Sequence, residues 1–490
     1  MTLKVLTLAA ESAPLVKVGG LGDVVGALPR ALRAVGIDAR VAIPHYPAIK
    51  SQAESLGIAL KRKGRVSIRW GSHAHETESA PIAETTVGGV PHYLLGGPPF
   101  RPPDKIYSTT IDDDGPKFIF YSMAAMSLCR ELDWQPDIIH VHDSHAGAAI
   151  YWLAAKGKRE SFWRQTASVI TIHNLPFQNN HAKKYLALAG LRPSRDPRLP
   201  MWARDGLMGL AIACADRINA VSDGYAAEIM GEEYGAGLDG LLRERADRLS
   251  GILNGLDYAA WNPSTDHALA ARFDAESLDH RAANKAALQK ACGLKPDPHV
   301  PIIGAVSRLD YQKGFDIALP AIKEALARGE AQFILLGTGA AELEASYEPL
   351  LTEYPGAASI HLRFDSALAN RIYGGCDIFL MPSRYEPCGT SQMIAMRYGA
   401  IPVARATGGL VDTVWPYRAG SGVGFLFGEY SSAALLRALR RAFRVYANGE
   451  AWRGLQRRAM AVRFSWEKSA EQYAAMYEKA LREVLIRRKA

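Results

Sequence analysis

The chain has 490 residues, 48% hydrophobic and 22% charged, with a formal net charge of +8. That length exceeds one ordinary core, so two or three domains are expected, and the composition is that of a soluble globular protein. No run of about 18 apolar residues is present, which argues against a spanning helix; the basic residues alternate with acids, as in Arg243-Glu244-Arg245-Ala246-Asp247-Arg248, which argues against a nucleic-acid surface and for a few cations serving an anionic small molecule.

The five cysteines, Cys129, Cys214, Cys292, Cys376 and Cys388, are scattered and lack CxxC spacing. Reduced thiols, a cytoplasmic location and no metal site are expected. Residues 4–9 predict a first strand rather than a signal peptide, because they run directly into the loop ESAPLVKVGG. A helix over 21–35 and a strand over 38–43 complete a βαβ unit. GxGxxG is absent. The loop offers Lys17 beside Gly19 and Gly20 at a helix start, where an ammonium and backbone N–H groups can hold a terminal phosphate. Taken alone, KxGG fits a surface lysine before a glycine cap better.

Short β-like runs follow at 66–70, 82–87 and 92–95. The segment GGPPFRPPDKIYSTTIDDDGP predicts a long loop, and 118–132 a helix. Residues 137–141 predict a strand ending in HVHDSHAG. Its histidines, His140, His142 and His145, could be read as a metal cluster, but no further ligands are suitably spaced; Asp143 reads better as a substrate-facing carboxylate. The next strand, 168–172, ends in His173-Asn174, and 217–221 is followed by Ser222-Asp223 as a helix cap.

Residues 252–257 read as a crossover between domains. A helix over 281–291 leads to a second α/β unit with strands at 301–306, 333–336, 359–362, 377–381 and 400–404. Arg308 and Lys313 share the loop after its first strand, two cations that suit a diphosphate or a plain salt-bridged loop. Glu386 follows the strand 377–381 within five residues. Gly389-Thr390 and Gly408-Gly409 form turns before helices whose N–H groups favour anions. Cys388, at such a helix start, is expected to be either a reactive thiol or a buried, inert one. Helices are predicted at 433–446 and 451–462. Trp466, Ala470, Tyr473, Tyr477, Leu481 and Val484 recur at three- and four-residue spacing on a last helix capped by Ser465, so one face must be buried.

Seven segments, KVGGLGDVVGALPRAL, HVHDSHAG, TIHNLPFQ, LNGLD, SRLDYQKG, PSRYEPCGTSQMIAMRYG and ATGGLVDTV, resemble bacterial glycogen synthase and plant starch synthase in that family's order, over essentially the whole chain. The resemblance implies an α/β, GT-B fold: two Rossmann-like domains facing a central cleft. Residues 1–250 with 466–490 would form the acceptor-side domain, and 251–465 the donor-side domain. It implies transfer of glucose from ADP-glucose to the non-reducing end of an α-1,4-glucan such as glycogen with retention, without metal or other cofactor, and with no nucleic-acid or membrane partner. Lys17, Gly19, Gly20 and Asp23 match the loop contacting the donor. Arg308 and Lys313 match the pair neutralising the departing diphosphate, and Glu386 the carboxylate holding the glucosyl ring. His173 and Asn254 match hydroxyl contacts, Asp143 a carboxylate near the transfer site, and Phe364 the adenine stack. Cys388, Gly389, Thr390, Gly408 and Gly409 match the turns around the donor. Val18, Ser144 and Thr390 depart from the usual threonine, tryptophan and leucine, which bears on the acceptor and donor preference. The alternatives are a related transferase using UDP-glucose or making maltose 1-phosphate, or a weakly active glucan-binding relative.

Overall fold

The computed structural model describes residues 2–100 and 105–487. The first compact unit runs to Gly255 and takes in the chain again from Trp466; the second is Leu256–Ser465. The first holds a nine-stranded sheet built from β1 (Lys4–Leu8), β2 (Asp38–Pro44), β3 (Lys61–Arg69), β4 (Thr77–Val87), β5 (Val90–Leu95), β6 (Ile138–His142), β7 (Ala167–Ile172), β8 (Arg217–Ala220) and β9 (Leu249–Gly251). Their order is β3-β4-β5-β2-β1-β6-β7-β8-β9. The pairs β3–β4 and β4–β5 are antiparallel and the rest parallel. Gly88 and Gly89, at φ 55° and 78°, close the β4–β5 hairpin with the two positive dihedrals a two-residue turn of that hand requires.

The second unit holds β10 (Ile302–Val306), β11 (Gln332–Leu336), β12 (Ala358–His361), β13 (Ile378–Met381), β14 (Ile401–Arg405) and β15 (Phe425–Phe427), in the order β12-β11-β10-β13-β14-β15. These strands are all parallel, and β10, β11 and β13 are almost wholly buried, as expected where helices cover both faces. Each sheet has one point where the strand order reverses, between β1 and β6 and between β10 and β13. Ligands bind at such points in open α/β sheets.

One boundary differs from expectation. The stretch 111–117 is helix, not loop: a single helix spans Ile111–Glu131. Asp112, Asp113 and Asp114 stand in its first turn, where the helix dipole favours negative charge. Pro116 lacks an N–H for the carbonyl of Asp112, and the Tyr185 hydroxyl donates to that carbonyl at 3.3 Å instead. Residues 101–104 of the expected loop lie outside the described residues. No described helix is long and apolar enough to cross a membrane, and all five cysteines are free.

The final helix, Trp466–Ile486, returns to the first unit. Trp466, Ala470, Tyr473, Met476, Tyr477, Ala480 and Val484 pack on Val5, Leu28, Ile138 and Val169, over the centre of the sheet. Tyr477 shares a hydrogen bond with His140 Nδ1 at 2.8 Å, and the Asn219 amide donates to the Tyr473 hydroxyl at 2.9 Å. Arg217 of β8 ion-pairs with Glu483. The chain returns beside the crossover by which it left: Leu256 N–H donates to the Phe464 carbonyl at 2.7 Å, and a Cβ on Gly255 would lie 2.5 Å from the backbone nitrogen of Trp466.

Tyr477→Ala removes a buried ring from this seam and should destabilise the protein by about 3–5 kcal/mol. Tyr477→Phe removes only the hydrogen bond and should cost about 1 kcal/mol. Thermal denaturation of both variants checks the ranking; equal losses would mean that the hydrogen bond, not packing, seats the helix.

Candidate active site

In the first unit the polar tips of β1, β6 and β7 gather around Asp143. Asp143 follows β6 with φ 57°, a left-handed conformation that costs a non-glycine residue on the order of 1–3 kcal/mol. It is held there from three sides. Its N–H donates to the Thr171 carbonyl at 2.9 Å, and its Oδ1 accepts from the N–H groups of His173 and Asn174 at 2.7 and 3.3 Å. Burial, against those donors and with Glu11 nearby, pushes its carboxyl up to about 7.

Four neutral histidines lie on β6, on the turn after it and at the end of β7. Burial drives His140, His142, His145 and His173 well below the ordinary imidazole range. His142 Nδ1 and His173 Nε2 share one hydrogen bond at 2.9 Å, and His142 Nε2 is buried with no protein partner. An unpaired buried N–H costs more than an unpaired acceptor. The proton therefore sits on His142 Nδ1, which donates to His173 Nε2, and His173 carries its own proton on Nδ1, as a donor.

The loop after β1 carries the sequence-predicted residues Lys17, Gly19, Gly20 and Asp23. Lys17 and Asp23 pair with each other at 2.7 Å, both half exposed. The N–H of Gly19, expected to be free for a phosphate, is instead taken: it and the Val18 N–H both donate to Glu11 Oε2. Glu11 is 2% exposed, and its Oε1 accepts from the Tyr107 hydroxyl at 2.7 Å. A buried pair, Lys117–Asp114 at 3.2 Å, anchors the approach of Tyr107: Lys117 donates to the carbonyls of Lys105 and Ile106, and Asp114 accepts from Ser108 N–H. Sequence reasoning passed over Glu11, Tyr107 and the pairing of His142; an acidic residue three positions past a strand end was the available signal for Glu11. Asn254, in the crossover after β9, is buried, its Oδ1 without a protein partner.

In the second unit the loop after β10 and the loop after β13 meet at the switch point. Lys313 Nζ lies 2.6 Å from Glu386 Oε2, which also accepts from the Ser383 hydroxyl at 3.1 Å. Asp310 caps the turn by accepting from Lys313 N–H at 2.9 Å. Gly314, at φ 75°, is required because a Cβ would lie 2.0 Å from the Pro382 carbonyl oxygen. Arg308 is exposed and paired with Asp310 at 2.8 Å. A cavity of about 30 Å3 lies between these tips, lined by Lys313, Ser383 and Ser391.

The glycine turns serve packing more than expected. Gly409 N–H donates to the Glu386 carbonyl at 2.9 Å, so it is not a free anion donor, and a Cβ on Gly409 would lie 2.3 Å from the Cys388 carbonyl oxygen. Gly408 and Gly389 hold φ 44° and 69°. Thr390 precedes the helix Ser391–Arg397 without a side-chain cap. Cys388 is 5% exposed, so its thiol is shielded, and its carbonyl accepts from the Gln392 amide at 3.1 Å. Phe364 is 93% exposed, on the loop after β12. Arg384 and Arg405, at the ends of β13 and β14, stand 4.3 and 5.3 Å from the ring centre of Tyr430.

The Asp143 carboxyl titrates at 3.8 unperturbed and at about 7 in the fold. A group raised in this way contributes stability that is complete below pH 4 and lost as pH climbs through 7. At about 1.4 kcal/mol per pH unit of separation the loss is roughly 4 kcal/mol. Asp143→Asn should therefore melt above the parent protein at pH 8 and at nearly the same temperature at pH 4. A difference independent of pH would show that Asp143 is ionised throughout.

Comparison with known proteins follows this geometry. A family model described as the starch synthase catalytic domain matches residues 4–244, and one described as glycosyl transferases group 1 matches residues 293–452. A glycogen synthase of Moorella thermoacetica is 42% identical over 98% of this chain and 97% of its own length. One of Clostridium perfringens is 39% identical over 98% and 99%. The catalytic domain of starch synthase IV from Arabidopsis thaliana, bound to ADP and acarbose, superposes with a TM-score of 0.87 at 31% identity, covering 98% of this chain and 100% of that one. A sucrose-phosphate synthase from Thermosynechococcus elongatus, at a TM-score of 0.59 and 17% identity, shares the fold alone. Relatedness of this depth runs through both sheets and both sets of strand tips, and the chain belongs to the glycogen synthase and starch synthase family of GT-B glycosyltransferases.

Proposed function

We propose that the protein is a glycogen synthase that moves glucose from ADP-glucose to the non-reducing 4-hydroxyl of an α-1,4-glucan, with retention at the anomeric carbon. The observation that carries this reading is the Lys313–Glu386 pair at 2.6 Å with Arg308 exposed on the same loop. Breaking the anomeric C–O bond leaves positive charge on the sugar and negative charge on the diphosphate. Glu386 answers the first, while Lys313 and Arg308 answer the second. The new C–O bond forms from the acceptor hydroxyl, whose proton leaves with a phosphate oxygen. Position 394 is isoleucine, so no carboxylate stands there as a double-displacement nucleophile, which favours same-face attack within an ion pair.

The remaining roles are assigned with it. Asp143, His173 through its Nδ1–H, and Asn254 through Oδ1 serve sugar hydroxyls. Phe364 offers an open ring face to adenine. Lys17 and Asp23 serve the donor, and so do Gly19 and Gly20: a Cβ at either position would meet nothing, so the chain's own packing does not require glycine there, which supports close ligand approach. Cys388, Gly389, Thr390 and Gly408 shape the turns beside Glu386. The ADP and acarbose held by the Arabidopsis relative support an ADP leaving group and a glucan-like acceptor. Ser144 is buried, donating to the Phe177 carbonyl and accepting from the Asn179 amide.

Incubation with ADP-glucose or UDP-glucose, and with glycogen or glucose 1-phosphate, tests the reading. Elongated glycogen from ADP-glucose is expected; a preference for UDP-glucose, or maltose 1-phosphate as product, would overturn it. Arg308→Ala should lower the rate about a hundredfold, on the order of 3 kcal/mol, with an unchanged melting temperature, since its side chain is 65% exposed. Lys313→Ala should lower both rate and melting temperature, because it leaves Glu386 buried without its cation. A fully active Arg308→Ala would remove Arg308 from the diphosphate.

A further inference from the structure

Away from the strand tips, the first unit contains a cavity of about 260 Å3 between the end of β3, the carboxyl-terminal half of the helix Ile111–Glu131 and the end of the helix Gly147–Ala155. Its floor is apolar, formed by Met123 and Met126, with Trp152 at one side. Its rim carries three cations. Arg130 is matched by an ion pair with Glu160 and lies over the ring of Phe162. Arg69 and Lys156 have no ion-pair partner among the described residues. Arg69 is pinned, because its guanidinium lies over Gly190 so closely that a Cβ there would be 2.1 Å from Nη1. Gly190 holds φ 67°, and Gly71 N–H ties the end of β3 to the Leu188 carbonyl at 3.0 Å. Burial, then the charge of Arg69, holds the Lys156 ammonium below its usual range. The cavity lining thus carries three cations against one carboxylate, Glu160, which is engaged by Arg130, and leaves a net excess of two positive charges at Arg69 and Lys156.

We propose that this cavity binds a small sugar phosphate, with the phosphate between Arg69 and Lys156 and the ring against Trp152 and the methionines. A phosphate monoester carries about −1.5 to −2 charge at pH 7, which offsets the two unmatched cations, whereas a carboxylate would offset one. The volume lies just under the usual range of ligand pockets, about 300–1,000 Å3, and suits one ring rather than a nucleotide or an oligosaccharide. The fork of Arg69 and the three donors of Lys156 supply charge-assisted hydrogen bonds. The sugar's C–H face packs on indole.

Calorimetric titration of the intact protein, saturated with ADP, tests this with ribose 5-phosphate as probe and with ribose and inorganic phosphate as its two halves. Ribose 5-phosphate should bind at one site with Trp152 fluorescence changing in parallel, and more tightly than either half. Arg69→Ala and Lys156→Ala should each weaken it about tenfold or more, with glucan synthesis unchanged, and Lys156→Arg should restore most of the affinity. No binding at millimolar concentration, binding unchanged in both alanine variants, or inorganic phosphate binding as tightly as the ester would overturn the proposal.

Discussion

A parallel strand covered on both faces can offer its polar backbone to a ligand only at its ends. Where the sheet order reverses, neighbouring loops leave in opposite directions and open a space between them. This constraint organises both units. Glu11 and the Lys17 loop follow β1, and Asp143 follows β6, across the first reversal. Lys313 follows β10 and Glu386 follows β13, across the second. Polar residues that are far apart in sequence become neighbours because strands adjacent in each sheet end at the same level.

The charges so gathered are largely matched within the protein. Lys17 is paired with Asp23, Lys313 with Glu386, Arg308 with Asp310, and the backbone nest at Val18 and Gly19 with Glu11. An unpaired buried charge is costly, and these internal partners spare the protein that cost. The pairs differ in how easily they exchange. Lys17–Asp23 and Arg308–Asp310 are exposed and screened by water, while Lys313–Glu386 is shielded and sets the position of the carboxylate. Asp143 is the exception, buried against hydrogen-bond donors rather than a cation, and its carboxyl is pushed toward neutral pH.

The alternation of apolar runs and glycine turns made most of the parallel strands legible, because buried strands carry continuous hydrophobic sequence. The helix Arg281–Ala291 and the apolar face of the last helix were equally plain. Short buried helices such as Leu207–Cys214 were missed because they are apolar on every side, with no period to read. The helix Ile111–Glu131 was cut short because its second turn contains Gly115 and Pro116, and the compensating donor, Tyr185, is 69 residues beyond Pro116. Strand-end polar residues announced the site; their partners did not. Nothing in the strand pattern says that Glu11 holds the Gly19 N–H, which depends on how the loop after β1 folds back on itself, or that His142 fixes the tautomer of His173, which depends on β6 and β7 lying side by side.

The return of the last helix to the first unit has a consequence for how the molecule is made. A ribosome delivers Leu256–Ser465 as one uninterrupted stretch, and that unit has all of its strands before the helix Trp466–Ile486 is made. The first unit starts earlier yet closes later: the residues that cover Val5, Ile138 and Val169 are made only after the whole of the second unit. Until then the helix Gly20–Ala34 is the part of that core in place on this face, and the rest of its apolar surface lacks the residues of the last helix. The amino-terminal unit therefore stays incomplete while the second is finished, and apolar surface left open in that way invites misassembly until the helix Trp466–Ile486 arrives.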